Sequence, residues 1–156
     1  MAGRAGHATS FVDRGGAGLD RLILDTTVLV AGERGRLRLD DLIGDTDDVA
    51  IAAITVAELL VGVELADTAH RSRRVALVDS VVKTIPVEDY DLDVARSHGL
   101  LLAHTQRSGR PRGAHDLVIA ATALARGRTV VTADRDGFID LPGVDVRVVP
   151  SSATKE

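Results

Sequence analysis

Short runs of consecutive apolar residues alternate along the chain with longer stretches in which apolar residues recur every three or four positions. Arg21–Asp25 (RLILD) is an apolar run that closes on an acid, and it reads as a buried strand. Thr26–Glu33 continues as a helix, and a second short helix fits Leu39–Ile43. Val49–Ala53 (VAIAA) is a second buried run, after which Thr55 opens a helix reaching about Ala66. His70–Val82 carries a helical stripe of Val75, Val78 and Val82, with Leu77 and Val81 beside it. Thr84–Val87 fits a third strand, and Asp91–Gln106 a helix with Leu92, Ala95, Leu101, Leu102 and Ala103 available for packing. Gly and Pro make Arg107–Gly113 (RSGRPRG) a loop. Ala114–Arg126 is a helix, apolar on nearly every side, that Gly127 ends. Thr129–Thr132 (TVVT) is a strand followed by the turn-like ADRDG, and Asp145–Val149 is a last strand.

Apolar strands separated by helices predict an α/β fold. It has three layers, α/β/α, around a central, mostly parallel sheet covered on both faces. In such sheets a ligand site lies beyond the carboxyl ends of the strands. One domain is expected over residues 21–150, with residues 1–20 read as a flexible leader or a misassigned start and residues 151–156 as a polar tail.

Composition narrows the function classes. The core must be built from Val, Leu, Ile and Ala, because there is no Trp and the aromatics are Phe11, Tyr90 and Phe138 alone. A protein that holds single strands by stacking needs aromatic platforms, so nucleic acid bound here is held by backbone charge or by metal. Without cysteine there is no disulfide, thiolate zinc site or thiol nucleophile. No apolar run approaches a membrane span and the first twenty residues lack a signal-peptide core, so a cytoplasmic protein with no membrane partner is expected. The net charge of −4 hides a division. Asp40 to Asp67 holds eight acids and no Lys or Arg, whereas Arg107 to Arg135 holds six Arg and two Asp.

Four carboxylates occupy equivalent topological places. Asp25 and Asp134 stand just after strands; Glu58 and Asp116 stand in first turns of helices. Each has an innocent reading. Asp25 suits an N-cap. Thr55 and Glu58 have the spacing of a capping box. Asp116 complements a helix dipole, and Asp134 and Asp136 suit a turn. As a set, however, the four line one edge of a parallel sheet. Their mutual repulsion would raise their pKa values unless a cation were present, so Asn at Asp25 or Asp116 is expected to stabilise the metal-free protein. An oxygen-only site suits Mg²⁺ or Mn²⁺, and such a centre suits phosphodiester hydrolysis. Arg107, Arg110 and Arg112, just upstream of Asp116, are candidates to hold neighbouring phosphates, with a solvated loop as the alternative. His115 reads as a supporting or merely exposed neighbour of Asp116.

The segments LILDTTVLV, ITVAELLVGVELA and HDLVIAATALARGRTVVTADRDGF resemble the PIN-domain nucleases, and most closely the VapC-type toxins of bacterial toxin–antitoxin pairs, over roughly Arg21 to Pro150. The resemblance places the family's four acids at Asp25, Glu58, Asp116 and Asp134, as catalytic and metal-holding residues. The hydroxyl residues that accompany them fall at Thr26 and Thr132. Where the family often has a further Asp or His, this chain has Gly137, with Asp136 one residue earlier. The resemblance implies Mg²⁺ or Mn²⁺ dependence, an RNA substrate, a homodimer and a small cognate antitoxin. Two other classes compete. A phosphotransferase with Asp25 as nucleophile commonly carries an acid two residues on, where this chain has Thr27. A non-catalytic binding module on the same fold would not need all four acids.

Overall fold

The computed structural model describes residues 19–150; most of the leader and all of the tail lie outside the described residues. Asp20, the last leader residue, already belongs to the folded body: its carbonyl accepts from the Asp48 amide and its carboxylate pairs with Arg147 at 3.0 Å. The elements in chain order are β1 (Arg21–Leu24), α1 (Thr26–Glu33), α2 (Leu39–Leu42), β2 (Asp48–Ala52), α3 (Ala53–Glu64), α4 (Thr68–Thr84), β3 (Val87–Glu88), α5 (Leu92–Ser108), α6 (Ala114–Arg126), β4 (Thr129–Thr132), α7 (Arg135–Phe138) and β5 (Val146–Val148). The strands form one sheet in the order β3-β2-β1-β4-β5, every pair parallel.

The strands are buried on both faces, and their pleat divides the core in two. Ile23, Ala52 and Val130 point to one side, where they pack with Val94, Leu101, Leu117, Ile119 and Phe138 from α5, α6 and α7. Leu22, Leu24, Ile51 and Val131 point to the other, against Val28, Leu29, Leu59, Val63, Val78 and Val81 from α1, α3 and α4. This is the three-layer arrangement the sequence predicts. The all-round apolar α6 buries Leu117 and Ile119 to Ala123, and Gly127 closes it in the left-handed conformation (φ 61°) that suits a residue without Cβ.

Four local expectations are corrected. α3 starts at Ala53, not Thr55, because β2 runs into it directly with Ala52 as N-cap. α4 starts after Asp67, whose carboxylate caps the His70 amide, and it runs on to Thr84, which confines β3 to Val87–Glu88. On α4 the buried residues are Val78 and Val81, while Val75 and Val82 are exposed. On α5 the buried residues are Val94, Leu101 and Thr105, while Leu92 and Leu102 are exposed.

β1 lies at the centre, with β2 on one side and β4 on the other. The chain therefore leaves β1 in one direction and returns on the opposite side, which makes the carboxyl ends of β1 and β4 a topological switch point. Asp25 follows β1 immediately, and its amide extends the ladder to the Val131 carbonyl of β4 at 2.9 Å.

Candidate active site

The floor of the cleft is Asp25, 2% exposed. It is the N-cap of α1, as its innocent reading holds: Oδ1 accepts from the Thr26 amide at 2.8 Å. The other oxygen, Oδ2, accepts from two hydroxyls, Thr27 Oγ1 at 2.7 Å and Thr132 Oγ1 at 2.8 Å. A buried carboxylate is tolerable when donors surround it, and here three donors hold it in one orientation.

Glu58 lies in the second turn of α3, too far along the helix for a capping box. The capping expectation is thus replaced. Its Oε1 accepts from Thr26 Oγ1 at 2.9 Å, and its Oε2 stands 3.6 Å from His115 Nδ1. Thr26 therefore touches two of the acids at once, Asp25 through its amide and Glu58 through its hydroxyl. The hydroxyl of Thr55, the expected cap, is buried and has no hydrogen-bond partner among the described residues.

Thr132, the last residue of β4, makes a second bridge. Its hydroxyl donates to Asp25 and accepts from the Asp134 amide at 2.9 Å. Asp134 precedes the single turn of α7 without capping it and is exposed at the rim. Asp116 stands in the first turn of α6, half-buried. Its carboxylate is pressed between two glycines. A Cβ on Gly137 would come within 2.7 Å of Asp116 Oδ2 and 3.3 Å of Asp134 Oδ2, and a Cβ on Gly113 within 2.9 Å of Asp116 Oδ2. Only residues without a Cβ allow this approach. Asp116 and Asp134 thus share one small volume.

The electrostatics agree with that geometry. The Asp116 carboxyl is pushed up to about 6, first by burial and then by the charges of Asp25, Asp134 and Glu58, with a small opposing effect of His115. All four acids therefore act on one point. No trio of Asp, Glu or His among the described residues is already drawn in to coordination distance. The carboxylates grade from a buried floor to an open rim, an arrangement that fits a hydrated hard cation. Mg²⁺ keeps several waters and takes only one or two carboxylates directly. The threonines that orient Asp25 and Glu58 supply hydrogen bonds of the kind that would support these carboxylates if they held a metal.

The three arginines separate. Arg107 is exposed, and Arg110 stands 3.8 Å from Asp140 with both side chains largely in solvent. Arg112 turns inward instead, donating to the carbonyls of Asp136 at 2.7 Å and Ile139 at 2.6 Å. Asp136 is exposed and takes part through that carbonyl. Sequence reasoning missed Thr27, whose hydroxyl joins Asp25 to the Ala133 amide, and Gly137, whose role is to be small. It also missed a cavity of about 380 Å³ that opens beside Thr26, Thr27 and Glu58, with Val30, Ala31 and Leu37 in its wall and Arg34 and Arg36 lining it too. The repeated Thr after Asp25 was the one available signal.

Residues 22–144 match the PIN domain family model. The chain belongs to the PIN-domain family, within its VapC ribonuclease branch. It is 43% identical over 124 residues to "Ribonuclease VapC5" of Mycobacterium tuberculosis, an alignment covering 78% of this chain and 87% of that protein. Over 102 residues it is 33% identical to the "tRNA(fMet)-specific endonuclease VapC" of Salmonella typhimurium, covering 65% of this chain and 76% of the relative. Among solved structures, VapBC-5 of M. tuberculosis, described as a member of the VapBC family of toxin–antitoxin systems, superimposes with a TM-score of 0.69 at 33% identity, covering 83% of this chain and 98% of its own.

Proposed function

We propose that this chain is a divalent-metal-dependent endoribonuclease, the toxin of a toxin–antitoxin pair, with Asp25, Glu58, Asp116 and Asp134 as its catalytic and metal-holding residues. The observation that carries the reading is the setting of Asp116: its carboxylate is held within reach of Asp134 by the close approach of Gly137, and burial together with the charges of Asp25, Asp134 and Glu58 pushes it up to about 6. The kinship with VapC ribonucleases supplies the reaction class.

Mg²⁺ or Mn²⁺ held there would activate water and neutralise charge developing on a scissile phosphate. The protein's own contribution is placement. Asp25 is fixed by Thr26, Thr27 and Thr132, and Glu58 by Thr26. Asp116 and Asp134 are fixed by the close approach of Gly137. Arg34 and Arg36, lining the adjoining cavity, and the exposed Arg107 and Arg110 give an RNA strand two positive approaches to an otherwise negative cleft. A small cognate antitoxin and a homodimer are the partners. The setting is cytoplasmic, and among the described residues no helix is long and apolar enough to cross a membrane.

An aspartyl nucleophile at Asp25 fits less well, because its carboxylate is buried and three donors occupy it. Thr27 donates to it where an acid would be needed. The test incubates purified, antitoxin-free protein with a mixed RNA pool, with Mn²⁺ or with chelator. Mn²⁺-dependent cleavage should fall at least ~100-fold in Asp116→Asn, beyond the 10–100-fold typical of losing an outer partner. Equal cleavage in chelator, or by Asp116→Asn, would overturn the reading.

A further inference from the structure

Arg112 stands at the mouth of the cleft on a loop rich in arginine, the expected place for a phosphate-binding side chain. Its geometry is that of a tie. Each terminal nitrogen donates to a backbone carbonyl of the segment around α7, Nη1 to Asp136 and Nη2 to Ile139. Those two carbonyls flank Gly137, the residue packed against Asp116 and Asp134. On the other side of the tie, Arg112 is bonded to Gly113, which packs against the same oxygen of Asp116. Gly113 before α6 and Gly137 in α7 therefore close on one carboxylate, and the Arg112 guanidinium joins their two segments. A planar fork with donors on both terminal nitrogens is suited to span two carbonyls at once, and an ammonium is not.

We infer that Arg112 is a positioning residue: by clamping α7 to the loop before α6 it sets the spacing between Asp116 and Asp134, and hence the affinity of the cleft for its cation. Gly137 is the other half of the same device, since any side chain there would push Asp116 away from Asp134. This inference rests on the metal-centre reading of the cleft. The consequence for substrate is that phosphate gripping falls to Arg107 and Arg110 on this loop.

The test measures Mn²⁺ affinity of the full chain without RNA, by the electron paramagnetic resonance signal of free Mn²⁺, for wild type, Arg112→Ala, Arg112→Lys and Gly137→Ala. Circular dichroism and melting accompany each variant. Cleavage of an RNA oligonucleotide is followed across a range of salt concentrations. The expected result is a loss of Mn²⁺ affinity of about 10-fold or more in Arg112→Ala, only partly restored by Lys. kcat should fall while the salt dependence of KM stays unchanged. Gly137→Ala should lose affinity similarly, with Arg112→Ala adding little on top of it. Arg112→Lys and Gly137→Ala carry the test should Arg112→Ala fold poorly. The inference is overturned if folded Arg112 variants bind Mn²⁺ as wild type does. It is equally overturned if KM rises and its salt slope drops by about one with affinity intact, the signature of a lost phosphate contact. A wild type that binds no Mn²⁺ would instead remove the metal-centre reading itself.

Discussion

Around Arg128, just before β4, a buried guanidinium (8% exposed) is fully employed. It meets Asp48 at 2.9 Å and Glu88 at 2.9 Å and donates to the carbonyls of Asp48 and Leu22. Arg126 adds bonds to Glu88 and Asp91 beside it. At the other end of β4, beyond Thr132, four acids gather with hydroxyls and amides for company and an exposed histidine at 3.6 Å from one of them. One cluster is neutralised by the protein and serves cohesion. The other is left negative, and under the proposed function that charge is what would receive a cation. Counting acids would not separate the two; asking which are compensated does.

The largest effect that would sharpen this contrast belongs to the compensated cluster. Arg128→Met should cost about 3 kcal/mol of stability in urea unfolding, by leaving Asp48 and Glu88 without their partner. This is the low end of the range for broken buried pairs, because both acids keep some solvent contact. The loss should be the same with or without Mn²⁺. A substitution that is harmless there would mean the cluster contributes nothing and the contrast fails.

Next in size is the cation itself. Mn²⁺ at a hundred times its Kd should raise wild-type stability by about 2.7 kcal/mol. Asp116→Asn should show much less of that gain, which thermal melts with and without the ion would reveal.

The smallest effects are opposite in sign within the cleft. In the metal-free protein burial, and then the charges of Asp25, Asp134 and Glu58, push the Asp116 carboxyl up to about 6 from an ordinary value of 3.8. The folded form therefore holds a proton that the unfolded form has lost, and the contribution of Asp116 to stability falls as pH rises from about 4 to about 6. Asp116→Asn should remove that slope and, near neutral pH, raise the melting temperature by about 3 °C. This corresponds to about 1 kcal/mol once solvent screening of a half-exposed group is allowed for. Asp25→Asn should lower stability by about 1 kcal/mol instead, because it weakens three charge-assisted hydrogen bonds and an N-cap. For Asp25 this prediction departs from the sequence-based expectation that both substitutions stabilise; for Asp116 it keeps it. Equal shifts in the two variants would show that repulsion is spread evenly over the cleft.

Those differences mark where the sequence is legible. β1, β2 and β4 can be read because strands buried on both faces are continuous apolar runs, and α6 because a helix packed all round has no polar face. Asp25, Asp116 and Asp134 can be placed because elements with clear ends put them there. Thr55–Glu58 misleads: the spacing of a capping box is present, but a strand that passes into a helix without a loop moves the cap to Ala52. β3 is hard to find because two residues carry no periodicity. Thr27, Gly137 and Arg112 have roles that exist only across long stretches of chain, in contacts to Ala133, to Asp116 and to Ile139. No local pattern encodes an approach between segments.

The bond from Thr132 to Asp25 joins positions 107 residues apart, and β4 is inserted beside the central β1 after most other elements have been made. During synthesis on the ribosome, a nascent chain that has not yet delivered Thr129–Asp134 has neither the middle neighbour of its first strand nor the fourth acid. The proposed four-acid centre is therefore completed in one late step, once most of the described elements have already been made.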